Sequence, residues 1–405
     1  PALFTSSAIG TGSGTITYQW QSGTGGCGGT FTNIAGAVSA TYDAPAGLTV
    51  TTYYRRVATS TLNGIPCSAN SNCITVTIND VSAGTVGSDQ TICSSGDPSA
   101  FTSSAAATGS GTITYQWQSG TGGCGGAFAN ISGANSATYD APAGLTVTTY
   151  YRRVATSTLN GVSCSANSNC ITVTVNAINA GTVGSDQTIC SAGDPAAFTS
   201  SVAATGSGTI TYQWQSGTGG CGGVFTNISG ATLATYDVPA GLTVTTYYRR
   251  VATSTLNGVP CSANSNCITV TVNDINAGTV GSDQTICSSG NPAAFTSSAA
   301  ATGSGTITYQ WQSGTGGCSG AFTNIGGATL ATYDVPAGLT VTTYYRRVAT
   351  STLNGVPCSA NSNCITVTVN DINAGTVGSD QTICSGGNPA LFTSSAIGTG
   401  SGTIT

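Results

Sequence analysis

Lysine, glutamate, histidine and methionine are absent from this chain of 405 residues. Without histidine there is no ordinary near-neutral proton shuttle and no imidazole metal ligand. Without lysine there is no Schiff-base amine and no Lys–Asn isopeptide crosslink. Charge of either sign is scarce: all eight basic residues are Arg, all thirteen acidic ones are Asp, and the net charge is −5. No basic face is left to hold phosphates, so nucleic acid is not expected as a partner. Long apolar runs are missing too. The longest are strand-sized, and neither a signal peptide nor a membrane span is read from them. Ser, Thr and Asp abound, yet no general base or activated nucleophile can be assembled from them alone. An enzyme is not expected, nor is a cofactor or metal. Calcium held between domains by Asp80 and Asp89 is set aside, because Ala177 stands one repeat on from Asp80.

Gly, Thr, Ser, Ala and Asn dominate, a composition that can signal disorder, but aromatic and β-branched residues recur at fixed spacing and argue for a folded chain. Trp20, Trp117, Trp214 and Trp311 are 97 residues apart, and Cys27, Cys124, Cys221 and Cys318 keep the same step. A unit of that length is a whole domain rather than a solenoid turn. The expected divisions are 1–82, a repeat lacking its first strand; 83–179, 180–276 and 277–373, three full repeats; and 374–405, the start of another. Residues 1–17 recur identically as 389–405, which implies a higher-order period of four domains. Two accounts of the broken end domains are open, since free strand edges invite aggregation. Either the chain is a window on a longer array, or its incomplete last domain completes the first domain of the next molecule.

Within the repeat 83–179, strands are read at 84–93, 100–107, 112–118, 128–131, 136–139, 146–156 and 171–176. In the third run Ile113, Tyr115 and Trp117 alternate with Thr112, Thr114, Gln116 and Gln118, so one face is buried and one is wet. The four tryptophans are therefore expected in the core. Seven short strands with a turn about every ten residues, and no helical period, predict an all-β, two-sheet Greek-key sandwich, with a closed barrel as the alternative.

The Trp of the third strand and the Tyr of the sixth resemble an immunoglobulin-like domain. That family places a Tyr two residues before the inter-sheet Cys; here Tyr151 stands for the Tyr, and Arg153 occupies the Cys position. The inter-sheet disulfide is thereby lost. Arg153 is expected either against Trp117 as a cation–π pair or at the edge of the sheet. The blocks TICSSGDP, TITYQWQSG, ISGANSATYDAPAGLTVTTYYRRVATS and ANSNCITVTVN further resemble the tandem immunoglobulin-like repeats of very large surface proteins from gliding Bacteroidetes. This resemblance covers the whole chain. It implies export by the type IX system and display as a long, gliding-motility-adhesin-like filament at a bacterial cell surface.

Sixteen cysteines, four per repeat, point to an oxidising compartment. They are Cys27, Cys67, Cys73, Cys93, Cys124, Cys164, Cys170, Cys190, Cys221, Cys261, Cys267, Cys287, Cys318, Cys358, Cys364 and Cys384. Zinc would want Cys-x-x-Cys pairs or His, and neither occurs, so disulfides are expected. If Cys93 and Cys124 share one pole of a domain and Cys164 and Cys170 the other, pole-to-pole bonds within a domain are excluded. A ten-residue strand spans about 33 Å, whereas bridged Cα atoms lie within about 7 Å. Pairing is then within a pole or between neighbouring domains, a bond from Cys27 to Cys164 or Cys170 being of the second kind. The function expected from all this is a structural or adhesive filament outside the cell, its partners being copies of itself along or across the filament. A multivalent array binding surface glycans or abiotic surfaces is the alternative.

Overall fold

The computed structural model of the chain describes residues 2–5 and 8–405. Every regular element among the described residues is a β-strand. Two compact units are formed, Pro1–Ala177 with Leu256–Val259, and Ile178–Thr255 with Pro260–Thr405. Both are built from one β-sandwich repeated along the chain. The protein is an all-β tandem array of immunoglobulin-like domains.

In the second repeat the larger sheet runs, edge to edge, Ala129–Asn130, Thr112–Gly120, Thr149–Leu159, Ile171–Asn176 and Gln90–Cys93. The strand with the tryptophan and the strand with the arginines pair antiparallel over their whole shared length, from Thr112 opposite Thr158 to Gly120 opposite Tyr150. Gln90–Cys93 closes the sheet as a parallel neighbour of Ile171–Asn176, with Cys93 opposite Asn176. The facing layer is slighter. Thr85–Val86 pairs with Ser103–Ala105, and single bridges join Phe101 to Tyr139 and Gly96 to Leu145.

Between the layers lies an aromatic core. Trp117 is fully buried, its ring 5.7 Å from Phe101 and 5.7 Å from Tyr139, while Phe101 lies 5.0 Å from Tyr151. Such ring pairs contribute about 0.5–1.5 kcal/mol each beyond their buried area. The indole N–H donates to the Ser136 carbonyl at 3.0 Å, so burying the ring strands no donor. Trp20, Trp214 and Trp311 hold the same place in their own cores. Ile113 and Tyr115 share the tryptophan's face but are only half-buried.

Several expected strands come out differently. The run 84–93 is two strands in two layers, broken at 87–89, where Asp89 accepts a hydrogen bond from the Thr172 amide at 2.7 Å. The runs 128–131 and 136–139 shrink to a two-residue strand and a single bridge, because the chain there turns through Gly133 at φ 76° to hydrogen-bond Trp117. A strand that was not expected, Val162–Asn167, folds back on Thr149–Leu159. Asn160 at φ 50° and Gly161 at φ 79° make the reversal, the Asn-Gly turn that matches strand twist.

Arg153 neither edges the sheet nor stacks on Trp117. It is fully buried, and its guanidinium lies 4.6 Å from the ring centre of Tyr115. It donates to the carbonyls of Ala137 at 2.7 Å and Ala83 at 2.8 Å, and to the Ser103 hydroxyl. These acceptors lie outside the large sheet, so the side chain ties the layers together where the immunoglobulin pattern has a disulfide. Burial lowers the guanidinium pKa from its ordinary value, and the Tyr115 ring works in the opposite direction. Arg250 and Arg347 repeat the arrangement.

Candidate functional site

Each repeat carries one internal disulfide. Cys27–Cys73, Cys124–Cys170, Cys221–Cys267 and Cys318–Cys364 all close 46 residues with Cα atoms 5.7 Å apart. In the second repeat the glycine-rich loop after Thr112–Gly120 delivers Cys124. It turns at Gly123, where φ is 89°, and the Gly126 amide closes the turn onto the Gly123 carbonyl at 3.0 Å. A Cβ at Gly126 would sit 2.7 Å from the Gly122 carbonyl oxygen, so the loop tolerates no side chain there.

This bond corrects the two-pole reading. The added hairpin strand occupies the outer half of Thr149–Leu159, from Val154 to Leu159, which leaves Cys164 and Cys170 at different heights. Ser119, Tyr151 and Ile171 lie in one row of the sheet. Cys124 follows that row and Cys170 precedes it, so the two meet at mid-height. Cys27 bonds Cys73 of its own repeat, not Cys164 or Cys170.

The second kind of bond crosses a repeat boundary. Cys190, ending Gln187–Cys190 in the third repeat, is bonded to Cys358 in Val356–Asn361 of the fourth; the Cα atoms are 5.5 Å apart and 168 residues of chain are closed. Cys190 lies opposite Asn273, the last residue of its sheet neighbour Ile268–Asn273. Asn273 is fully buried and grips the same hairpin. Its amide donates to the carbonyls of Ser351 at 2.8 Å and Val356 at 2.9 Å, and its oxygen accepts from the Ser351 hydroxyl at 2.7 Å. Asn354, at the hairpin turn, reaches the Thr188 hydroxyl at 3.1 Å. One repeat thus ends in a paired device, a cysteine beside an asparagine, and the next repeat's hairpin is its socket.

The asparagine half recurs between the first and second repeats. Asn79 donates to the carbonyls of Ser157 at 2.7 Å and Val162 at 2.9 Å and accepts from the Ser157 hydroxyl at 2.6 Å. There the hairpin cysteine, Cys164, is a free thiol. Cys67, Cys287 and Cys384 are also free, while Cys93 and Cys261 are disulfide-bonded. The asparagine clamp was missed in reading the sequence. Its signal was present: Asn79, Asn176, Asn273 and Asn370 recur at the end of an Ile-Thr-Val-Thr run. What the site can do chemically is hold adjacent domains together by one covalent bond and a cluster of buried hydrogen bonds. No group of three or more His, Cys, Asp or Glu side chains among the described residues is placed to hold a metal.

A family model described as a domain of unknown function, DUF8696, matches residues 1–80, 82–177, 179–274 and 276–371. No curated protein matches the chain in sequence. Among solved structures, titin domains A168-A170 are similar over 71% of this chain and 97% of their own, at 12% identity and a TM-score of 0.28. Extracellular domains 3-5 of Drosophila OTK are similar over 72% of this chain and 97% of theirs, at 14% identity and a TM-score of 0.25. Drosophila N-cadherin EC1-4 is similar over 89% of this chain and 93% of its own, at 12% identity and a TM-score of 0.23.

Proposed function

The chain belongs to the DUF8696 family, in four consecutive copies, and from that premise we propose that it is a load-bearing stalk of an extracellular structural or adhesive array. The observation that carries this is the Cys190–Cys358 bond, which sends tension from one repeat to the next without passing through the chain between two cysteines 168 positions apart. A binding or catalytic domain gains nothing from such a bypass, whereas a tether does. Disulfides persist in oxidising surroundings, which supports a place outside the cell. The composition supports a mechanical role as well, since near-identical copies accumulate length and stiffness rather than new chemistry. The finer part of the proposal is a filament at a bacterial surface, exported by the type IX route and made of copies of the same repeat. It is supported by the resemblance to gliding-motility surface proteins.

The test uses intact source cells adhering in a flow chamber. A membrane-impermeant reductant is expected to lower the shear at which they detach, and protease added outside is expected to remove the chain without lysis. Unchanged detachment with Cys190 and Cys358 fully reduced would overturn the load-bearing role, and protection from protease until lysis would overturn the location.

A further inference from the structure

Four of the eight arginines are buried, Arg56, Arg153, Arg250 and Arg347, while Arg55, Arg152, Arg249 and Arg346 are only half-buried and reach the surface. In a chain without Lys or His these four are the side chains that bring positive charge to the surface, one in each repeat. Thirteen Asp residues surround them in the sequence, yet no Asp among the described residues forms an ion pair with any of the four. Each therefore carries a charge that the protein itself leaves unanswered.

Its neighbours hold each guanidinium in one pose. In the second repeat Arg152 lies over the Phe128 ring, 4.2 Å from its centre, and its Nε donates to the Gln118 Oε1 at 2.8 Å. Gln118 stands between Arg152 and Asn130 in the sheet, and its own amide donates to the Asn130 Oδ1 at 2.8 Å. Arg55, Arg249 and Arg346 each repeat the Phe contact and the relay through Gln to Asn. The direction of the relay decides what it can bind. Both amide oxygens are engaged inside it as acceptors. What is left is donors alone: Nη1 and Nη2 of Arg152 and Nδ2 of Asn130 have no acceptor among the described residues. A ligand group that only accepts, such as a carboxylate or a sulfate, complements that set. A guanidinium already fixed against a ring loses little freedom on gripping it with both prongs.

We propose that every repeat binds an acidic polysaccharide, the arginine fork taking an oxyanion of the sugar, a uronate carboxylate or a sulfate ester, and the asparagine amide taking a neighbouring sugar oxygen. Tyr150, the next residue on the same face of the strand as Arg152, is half-buried and adds an aromatic side chain beside the charge. A polysaccharide fits better than an acidic protein because the relay recurs unchanged at steps of 97 residues. A folded partner would have to match its own anions to that step. A flexible polymer with an anion on every unit meets a repeated site in any register, and each contact made raises the effective concentration for the next. The chain then grips along its length rather than at one end. This reading stands on the donor relay and not on the load-bearing role of the bond between repeats, so either can fail without the other.

The test passes the full, oxidised chain at physiological salt over surfaces coated with polygalacturonate, dextran sulfate, neutral dextran or poly-L-glutamate. Retention on at least one of the two acidic polysaccharides is expected, and which of them retains it tells a carboxylate ligand from a sulfate one. Arg55→Gln, Arg152→Gln, Arg249→Gln and Arg346→Gln combined are expected to weaken retention at least tenfold. Lysine at the same four positions keeps the fold and the net charge of −5 but loses the two-pronged donor, and is expected to weaken retention at least threefold. No retention on either acidic polysaccharide, equal retention on neutral dextran or poly-L-glutamate, or undiminished retention of either fourfold variant would each overturn the proposal.

Discussion

Replacing Cys190 and Cys358 together by Ser isolates the bond between repeats. The chain is held between click-chemistry handles at Ser185 and Asp371, both exposed. With the bond intact, tension enters at Cys190, crosses to Cys358 and leaves. Without it, tension runs from 190 to 221, crosses Cys221–Cys267, continues to 318 and crosses Cys318–Cys364. The difference is roughly 76 residues of backbone, or about 260 Å at ~3.4 Å per residue. Loop entropy adds a second measure: closing 168 residues restricts the unfolded chain by about 5 kcal/mol in the chain-entropy account, against about 4 kcal/mol for a 46-residue bond. Single-molecule stretching without reductant is expected to release the additional length in the double variant and not in the parent chain. Equal released lengths for the two would refute the reasoning.

Asn273→Ala orphans the Ser351 and Val356 carbonyls in a buried site and is expected to cost about 2–3 kcal/mol; faster amide exchange across 351–356 is the readout, and unchanged exchange would count against the clamp. Arg153→Met keeps the bulk of the side chain but strands the Ala83 and Ala137 carbonyls. A loss of about 2–4 kcal/mol in urea unfolding is expected, and a neutral outcome would show that the layers need no tie there. Burial, reinforced by the neighbouring tyrosines Tyr236 and Tyr333, pushes Tyr248 and Tyr345 up to about 12 from the ordinary 10.0, although a hydrogen bond to Thr246 or Thr343 pulls the other way. The folded state prefers the neutral phenols, so their contribution is complete below pH 10 and is lost as pH rises from 10 through 12. Phenolate absorbance is expected to show late-titrating tyrosines, Tyr248 and Tyr345 among them, whose ionisation coincides with unfolding; ionisation of both near pH 10 in a still-folded chain would contradict the burial.

The period, the all-β class and the tryptophan core are legible because each is written as spacing: 97 residues between domains and two between inward side chains. What escaped was long-range. Asn160-Gly161 is a hairpin signal, but beyond Val162 the returning side is Ser, Cys, Ser, Ala and Asn, weak strand formers, so Val162–Asn167 is not among the expected strands. That omission put Cys164 and Cys170 at one height and led to the wrong partner for Cys27. Arg153 was singled out by its place in the immunoglobulin pattern. Its carbonyl and hydroxyl partners come from 83, 103 and 137, residues with no distinguishing chemistry in a sequence. The bond between repeats is illegible for a further reason. Every full repeat offers the same four cysteines, so only the fold, by ending Cys190 beside Asn273, selects Cys358.

Cleavage before every Asp of the oxidised, thiol-capped and then unfolded chain tests the bond between repeats most directly. It frees the octapeptide 186–193, whose sequence DQTICSAG is unique in the chain and whose single cysteine is Cys190. Mass spectrometry is predicted to find it joined to 334–370, which carries Cys358 of the following repeat and is itself held to 283–333 by Cys318–Cys364. An octapeptide joined to 194–236 or 237–273 of its own repeat, or carrying a capped free thiol, would contradict a covalent path from one domain to the next.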